Sequence, residues 1–481
     1  MALTTEKLKE FYSQAKKSKI LFWAEQEFGW SPIEEKLELV KPGQTPRKAW
    51  YQPILLACFD GIFYYPEDYF DEDYAGNPIR KYAWRIGRQS FGPLTLIHTQ
   101  DGKIMPISEH PDSFPTQKHA EIYNLHLQHG VNLKCTKEHP VAVFRDGKIQ
   151  WIPAQEIKIG EKIEILYEYD KWGNGDVPYS YKVGNKNFSG ILKMNNSLAE
   201  LLGLLTTDGS VKSFIKKNRS SIVFTNTNIN YINRVISLVK ENFDNIDIKF
   251  YTIDNSNIKN EKIRYVLMFT ALKNKGSANK NQIMEFIRQM NFHPCGFPRA
   301  VAEHFTKEQV CAFLNGSWQG DGNTRIAPNP KATMTEFACN SDYVYAEYFK
   351  ELFTKLGIFC RIRTCYGKKS KFPFYKLRFT SHRVLHKLRD TIGQVLDKQF
   401  PLTIGIKDDI KNIEIFNVYE NGEKTTLAKL KKITIEENKE DCWDMEVPNR
   451  GWFFASSSRV HNSGKCIPEG TIIHTRDGKL V

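Results

Sequence analysis

Apolar and charged positions alternate at helical spacing over residues 5–28, until Trp30-Ser31-Pro32 breaks the pattern. Residues 46–60 read as a second helical or mixed segment, and the aromatic, acidic stretch from Tyr64 to Tyr74 reads as a loop. From Ser90 to about Tyr181 the texture changes to short strand-like runs separated by the turn pairs Asp101-Gly102, Asp146-Gly147 and Ile159-Gly160. Helical periods then alternate with strand-like runs from about Ser197 to Gly393, and short strands return from about Asn412 to Val460. A β-rich domain is therefore expected to be interrupted by a mixed insertion.

Composition narrows this picture only slightly. A chain of 481 residues exceeds one ordinary core, so several domains are expected. The net charge of +13 is spread without a homopolymeric run, through stretches such as Lys212 to Arg219 and Arg361 to Lys371. Such a surface suits nucleic acid or an ordinary solvated face. The nine cysteines are scattered and form no CxxC pair, which argues against a disulfide framework and a structural zinc site and fits a reducing cytoplasm. No window approaches the ~20 apolar residues that span a bilayer, so neither a signal peptide nor membrane association is expected.

A repeat changes the picture more. Ser90-Phe-Gly-Pro-Leu-Thr-Leu-Ile-His-Thr-Gln-Asp-Gly-Lys-Ile aligns without gaps to Cys466-Ile-Pro-Glu-Gly-Thr-Ile-Ile-His-Thr-Arg-Asp-Gly-Lys-Leu. Each copy begins with a nucleophile and continues as a strand into an Asp-Gly hairpin turn. With Thr136-Lys-Glu-His139-Pro, Trp151-Ile-Pro-Ala-Gln-Glu-Ile-Lys-Ile-Gly160, Cys442-Trp-Asp-Met-Glu-Val447, Phe453-Phe-Ala and Val460-His461-Asn462-Ser463, residues Ser90 to Asn462 resemble the intein family. The resemblance implies an all-β Hint horseshoe that joins its own flanks. Ser90 would attack the carbonyl before it in an N-to-O acyl shift assisted by Thr136 and His139, and Ser463 would accept the ester. Asn462 would then cyclise with help from His461, leaving a Gln89–Ser463 peptide bond, and no cofactor is needed. Taken alone, a Thr and a His in a loop are ordinary surface residues, and a His-Asn-Ser triplet is an ordinary turn. Two departures stand out: Gly451 occupies the position where such inteins often carry His, and both nucleophiles are Ser rather than Cys.

Between the β halves, Leu201-Leu-Gly203-Leu-Leu-Thr-Thr-Asp208-Gly209 and Leu314-Asn-Gly316-Ser-Trp-Gln-Gly-Asp321-Gly322 share the pattern L-x-G-x4-D-G at the end of a helical period. The first glycine of each would let two helices approach closely. The last would end the helix so that Asp208 and Asp321 project side by side as Mg²⁺ ligands for phosphodiester hydrolysis. Either copy alone reads as a common cap. The pair resembles the LAGLIDADG homing endonucleases, which implies an α+β domain of αββαββα repeats whose β-saddle grips double-stranded DNA. Leu356-Gly-Ile-Phe-Cys-Arg-Ile and Tyr375-Lys-Leu-Arg-Phe379 read as a helix end followed by a saddle strand, whose basic side chains suit phosphates or a plain polar face. Cys295 stands where the family often places Lys before its Pro, here Pro298, which puts cutting in doubt.

Removing 90–462 joins Trp84-Arg-Ile-Gly-Arg-Gln89 to Ser463-Gly464-Lys465, and the joined stretch resembles a phosphate-binding loop of large-terminase ATPases of tailed phages. Lys48-Ala-Trp-Tyr-Gln52-Pro-Ile-Leu resembles their adenine-recognising segment, though an amphipathic helix with a buried aromatic is an equal reading. The resemblance implies ATP and Mg²⁺ for the completed host, with Gly464 and Lys465 on the phosphates, and packaging machinery as its partner. Ile86 stands where the loop's first Gly is usual, and no hydroxyl follows Lys465. The expected organisation is a multidomain monomer: 1–89 a partial α/β P-loop segment, 90–185 and 410–462 the Hint halves, and 190–400 the endonuclease. Residues 463–465 would complete the P-loop, and 466–481 would begin a second intein.

Overall fold

The computed structural model describes residues 91–461 except 119, 184, 215–218, 255–262, 272–280, 294–295, 326–333, 367–371, 380–381, 394, 396–412, 438–440, 446 and 448–449. All of them belong to one compact unit, Gly87–Cys466. The flanks, residues 466–481 that were expected to begin a second intein, and Ser90, Cys295, Asn462, Ser463, Gly464 and Lys465 lie outside the described residues.

The first β half opens with β1 (Leu96–His98) and β2 (Ile104–Pro106), a hairpin turning at Asp101-Gly102 with Gly102 at φ +89°. It continues through β3 (Ser113–Lys118), β4 (Glu121–Leu127), β5 (Asn132–Thr136), β6 (Pro140–Arg145), β7 (Lys148–Pro153) and β8 (Lys162–Tyr169). Asp146 and Gly147, at φ +53° and +77°, close a two-residue turn between Arg145 and its pair Lys148, which is why that Asp-Gly pair marks a hairpin. A ribbon follows, β9 (Asp176–Val183) paired with β10 (Lys186–Lys193).

The insertion repeats one pattern twice. Its first half runs α1 (Asn196–Asp208), β11 (Gly209–Phe214), β12 (Arg219–Asn226), α2 (Ile229–Asn242), β13 (Ile246–Ile253), β14 (Arg264–Ala271) and α3 (Gln282–Gln289). After the short α4 (Ala300–His304), the second half runs α5 (Lys307–Asp321), β15 (Gly322–Arg325), β16 (Met334–Ala338), α6 (Tyr343–Lys355), β17 (Arg361–Tyr366), β18 (Pro373–Phe379) and α7 (His382–Ile392). The two sheets have the same order, β11-β12-β14-β13 and β15-β16-β18-β17. Local signals start both leading helices. Asn195 accepts a hydrogen bond from the Leu198 amide at 2.7 Å, and Thr306 with Gln309 forms a capping box.

The second β half comprises β19 (Asn417–Val418), β20 (Glu423–Glu437), β21 (Asp441–Met445), β22 (Trp452–Ala455) and β23 (Ser458–His461). Short strands are the expectation here, but β20 is 15 residues long. It pairs with β8 through Lys429, shifts register between Leu430 and Lys432, and continues along β4, so it has partners over its whole length. In the resulting sheet, β2-β1-β22-β23-β6-β8-β20-β4-β5, the first and last parts of the described chain are neighbours: Ile97 pairs with Ala455 and His98 with Phe454. Phe91, Leu125, Val141, Ile163, Phe453 and Val460 fill the core beneath.

Candidate splicing centre and carboxylate pair

His139 is placed by its backbone. Its amide donates to the Thr136 carbonyl at 3.1 Å, closing the turn between β5 and β6, and its own carbonyl accepts from the Ala154 amide at 3.0 Å. The ring is fully buried, and neither nitrogen has a hydrogen-bond partner among the described residues. Burial, reinforced by the neighbouring His461, depresses its pKa to about 3, although the His461 backbone favours the protonated ring slightly. The imidazole is therefore neutral near pH 7. Phe91 packs edge to face on it at 4.3 Å and is held to Trp443 by two backbone hydrogen bonds of 2.8 Å. His461 ends β23 with its ring 4.8 Å from Trp151. The structure thus sets His139 against Phe91, the residue that follows Ser90, with Thr136 on the same turn and His461 close enough to act on the ring.

Two features escape sequence reading here. Asp444, buried within the quoted Cys442 to Val447 motif, follows the bridged Trp443; its carboxylate accepts from the Met445 amide at 2.7 Å. Gly451 has φ +67°, a left-handed conformation in which a histidine is strained, so glycine at that position answers to the turn.

In the insertion, α1 and α5 run parallel in direct backbone contact. A Cβ on Gly203 would meet the Phe313 carbonyl oxygen at 2.1 Å, one on Gly316 the Glu200 carbonyl oxygen at 2.1 Å, and one on Gly320 the Thr207 hydroxyl at 2.0 Å. Parallel packing brings both C-terminal ends, and so Asp208 and Asp321, to one end of the pair. The terminal glycines end the two helices directly after Asp208 and Asp321, as expected, but not by a left-handed turn. Gly209 and Gly322 have φ of −81° and −70°, extended backbone rather than left-handed caps. What excludes a side chain is proximity: a Cβ would lie 2.3 Å from the Leu205 carbonyl oxygen and 2.5 Å from the Trp318 ring.

Asp208 accepts from the Asn226 side-chain amide at 2.7 Å and borders a cleft of about 800 Å³ that Asn226, Arg264, Gln319 and Gly320 also line. Among the described residues no group of three or more His, Cys, Asp or Glu side chains is arranged to hold a metal. A pair of carboxylates at two helix C-termini nonetheless fits Mg²⁺, which commonly uses one or two carboxylates together with water and substrate phosphates. Tyr375 to Phe379 lie in strand β18 after a helix end, as expected, and Arg361 to Tyr366 add a second strand, β17, paired with it. Among the described residues no helix is long and apolar enough to cross a membrane.

These features define a strand-rich domain whose first and last described residues meet at a buried histidine and which carries a twice-repeated αββαββα insert. The chain belongs to the intein splicing domain family, whose model matches residues 107–462. The ribonucleoside-diphosphate reductase NrdEB subunit alpha of Bacillus subtilis (strain 168) is 22% identical over 259 residues, 51% of this chain and 21% of that protein. The uncharacterized protein MJ1054 of Methanocaldococcus jannaschii is 24% identical over 345 residues, 69% of this chain and 34% of that protein. This chain therefore spans about a third or less of these relatives. Among solved structures, mesophilic variants of the homing endonuclease I-DmoI are similar at a TM-score of 0.30 and 19% identity, over 41% of this chain and 94% of theirs.

Proposed function

We propose that residues 90–462 excise themselves and join Gln89 to Ser463. Ser90 attacks the Gln89 carbonyl carbon; the C–N bond breaks as the ester forms, and the departing nitrogen takes a proton, with neutral His139 as the proton carrier and Thr136 as the hydroxyl partner. The Ser463 hydroxyl takes the acyl group from Ser90. The Asn462 side-chain nitrogen then attacks its own carbonyl, cleaving before Ser463 with His461 moving the proton, and the new ester rearranges to an amide. The observation that carries this reading is the convergence of Phe91 and His461, neighbours of the two junctions, on the buried His139.

The insert is read as a homing endonuclease in which Asp208 and Asp321 hold Mg²⁺. When bound, the metal would polarise the phosphodiester and activate water, and Asn226 orients the Asp208 carboxylate. The joined flanks are read as a terminase-like ATPase, on the strength of their sequence alone.

Mass spectrometry of the expressed chain tests the splicing reading, and a nicking assay tests the metal site. A joined 1–89/463–481 product and an excised 90–462 are expected, and Ser90→Ala with Asn462→Ala should stop all processing. Asp208→Asn should leave splicing intact and abolish Mg²⁺-dependent nicking of a duplex encoding the joined flanks. Released but unjoined flanks would sink the splicing reading, and unchanged nicking by the variant would sink the metal site.

A further inference from the structure

The insert and the horseshoe share more than a linker. Leu96 and Ile104 of the β1–β2 hairpin are buried in the core of the insert, and Phe359, which follows α6, is buried in the core of the horseshoe and stacks on His129 at 4.8 Å. The two backbones touch: a Cβ on Gly130 would lie 2.7 Å from the Cys360 carbonyl oxygen. Inside this apolar seam lies a buried polar cluster centred on Glu351 of α6. Its carboxylate bonds the His98 Nε2 of β1 at 2.9 Å, accepts from the Lys350 ammonium at 2.8 Å, and accepts from the Ser457 hydroxyl. Burial alone would raise the carboxyl, but Lys350 and His98 more than offset it and bring its pKa to about 2, so it is ionised. One turn further on, the Lys355 ammonium donates to the Gly102 carbonyl at the hairpin tip and lies 4.0 Å over the Trp172 ring.

The two splicing-domain contacts of Glu351 lie on β1, which follows the first junction, and on the turn that enters β23, the strand that runs to the second. His98 is on β1, eight residues after Ser90, and Ser457 is in the β22–β23 turn, five residues before Asn462. That turn is strained, with Ser456 and Ser457 both left-handed at φ +44° and +61°. Beyond Glu351, it is held by the Ser456 amide donating to the Leu96 carbonyl and the Leu166 amide donating to the Ser457 carbonyl, at 2.8 and 2.7 Å. The His98 Nδ1 has no hydrogen-bond partner among the described residues, so Glu351 is its polar anchor there.

We infer that Glu351, although it belongs to the inserted domain, is a positioning residue for splicing: its carboxylate ties β1 to the β22–β23 turn and keeps the two junctions aligned for acyl transfer from Ser90 to Ser463. The inference rests on the splicing reading above. Alignment matters most for transfer between junctions, because cleavage at either junction needs only its own local groups. Loss of the tie therefore shifts products from ligated flanks to flanks released separately. A purely structural role would reduce all products together.

The test uses the full chain and follows the ratio of ligated to separately released flanks by mass spectrometry, alongside the folded fraction by protease resistance. For Glu351→Gln the ratio should fall at least about tenfold at an unchanged folded fraction, the scale of one buried charge-assisted hydrogen bond. Ser457→Ala and His98→Gln should move it the same way. Adding Glu351→Gln to either should give less than the product of the single effects, since they share one carboxylate. A wild-type chain that yields no ligated product overturns the splicing reading itself. Ligation by the wild type together with an unchanged ratio in folded Glu351→Gln overturns the role of Glu351. If Glu351→Gln does not fold, Ser457→Ala decides, and an unchanged ratio there overturns the proposal.

Discussion

His139 makes the horseshoe sensitive to acid in a way that can be measured. In the unfolded chain its imidazole titrates near 6.5; in the folded chain burial holds it at about 3. A depressed folded pKa contributes stability that is fully present above 6.5 and is lost as the pH falls toward 3, because the unfolded state takes up the proton first. At about 1.4 kcal/mol per pH unit, the loss on going from pH 7 to pH 5 is about 2 kcal/mol, rising to about 5 kcal/mol below pH 3. Because the ring is fully buried, solvent screening reduces this little. The comparison is His139→Phe in a Ser90→Ala, Asn462→Ala background, where neither junction is expected to react and the edge-to-face packing on Phe91 is retained. Urea unfolding followed by tryptophan fluorescence at pH 7 and pH 5 gives the two stabilities. The protein that keeps His139 should lose about 2 kcal/mol more than the His139→Phe variant between the two pH values, whatever their absolute difference at pH 7. Parallel losses would show that His139 is not held neutral by burial, and the neutral imidazole in the proposed mechanism would fall with it.

Gly203→Ala places a methyl 2.1 Å from the Phe313 carbonyl oxygen and 2.7 Å from the Ser317 amide nitrogen, backbone atoms that cannot swing aside. The helix pair must part by about 1 Å, at a net cost of about 1–3 kcal/mol that thermal unfolding will report, with nicking lost as the two carboxylates separate; unchanged stability would contradict the parallel contact. Gly451→His, which installs the residue often found at that position, should cost about 1–2 kcal/mol in denaturant unfolding, as Gly451→Ala should, and should not speed cleavage before Ser463 in a Ser90→Ala background. Faster cleavage without loss of stability would mean that the left-handed turn does not dictate glycine.

What the sequence made legible was local. Asp146-Gly147 announces its hairpin because the two positive φ values are a property of those two residues. The placing of Asp208 and Asp321 at two helix ends is legible because each helix carries its own small contact residue, five positions before the carboxylate. The contacts that required the folded chain stayed hidden. Glu351 lies 253 residues from His98 and 106 from Ser457, and on α6 it reads as one more charged helical position beside Lys350. The terminal glycines of the two helix motifs end their helices as the sequence implies, but why glycine stands there is not legible, since a left-handed cap and a crowded extended residue leave the same letter. β20 read as short because its second partner, β4, lies in the other β half, beyond any local signal.

That long strand also imposes an order in time. Glu436 of β20 is bridged to Lys134, 302 residues earlier, so during synthesis at roughly 5–20 residues per second the first β half waits on the order of tens of seconds for its partner. Through that interval β4 and β8 present unpaired edges, and the horseshoe that would cut the chain does not exist. On the splicing reading proposed above, the order of translation would keep the flanks from being cut before the second β half is made.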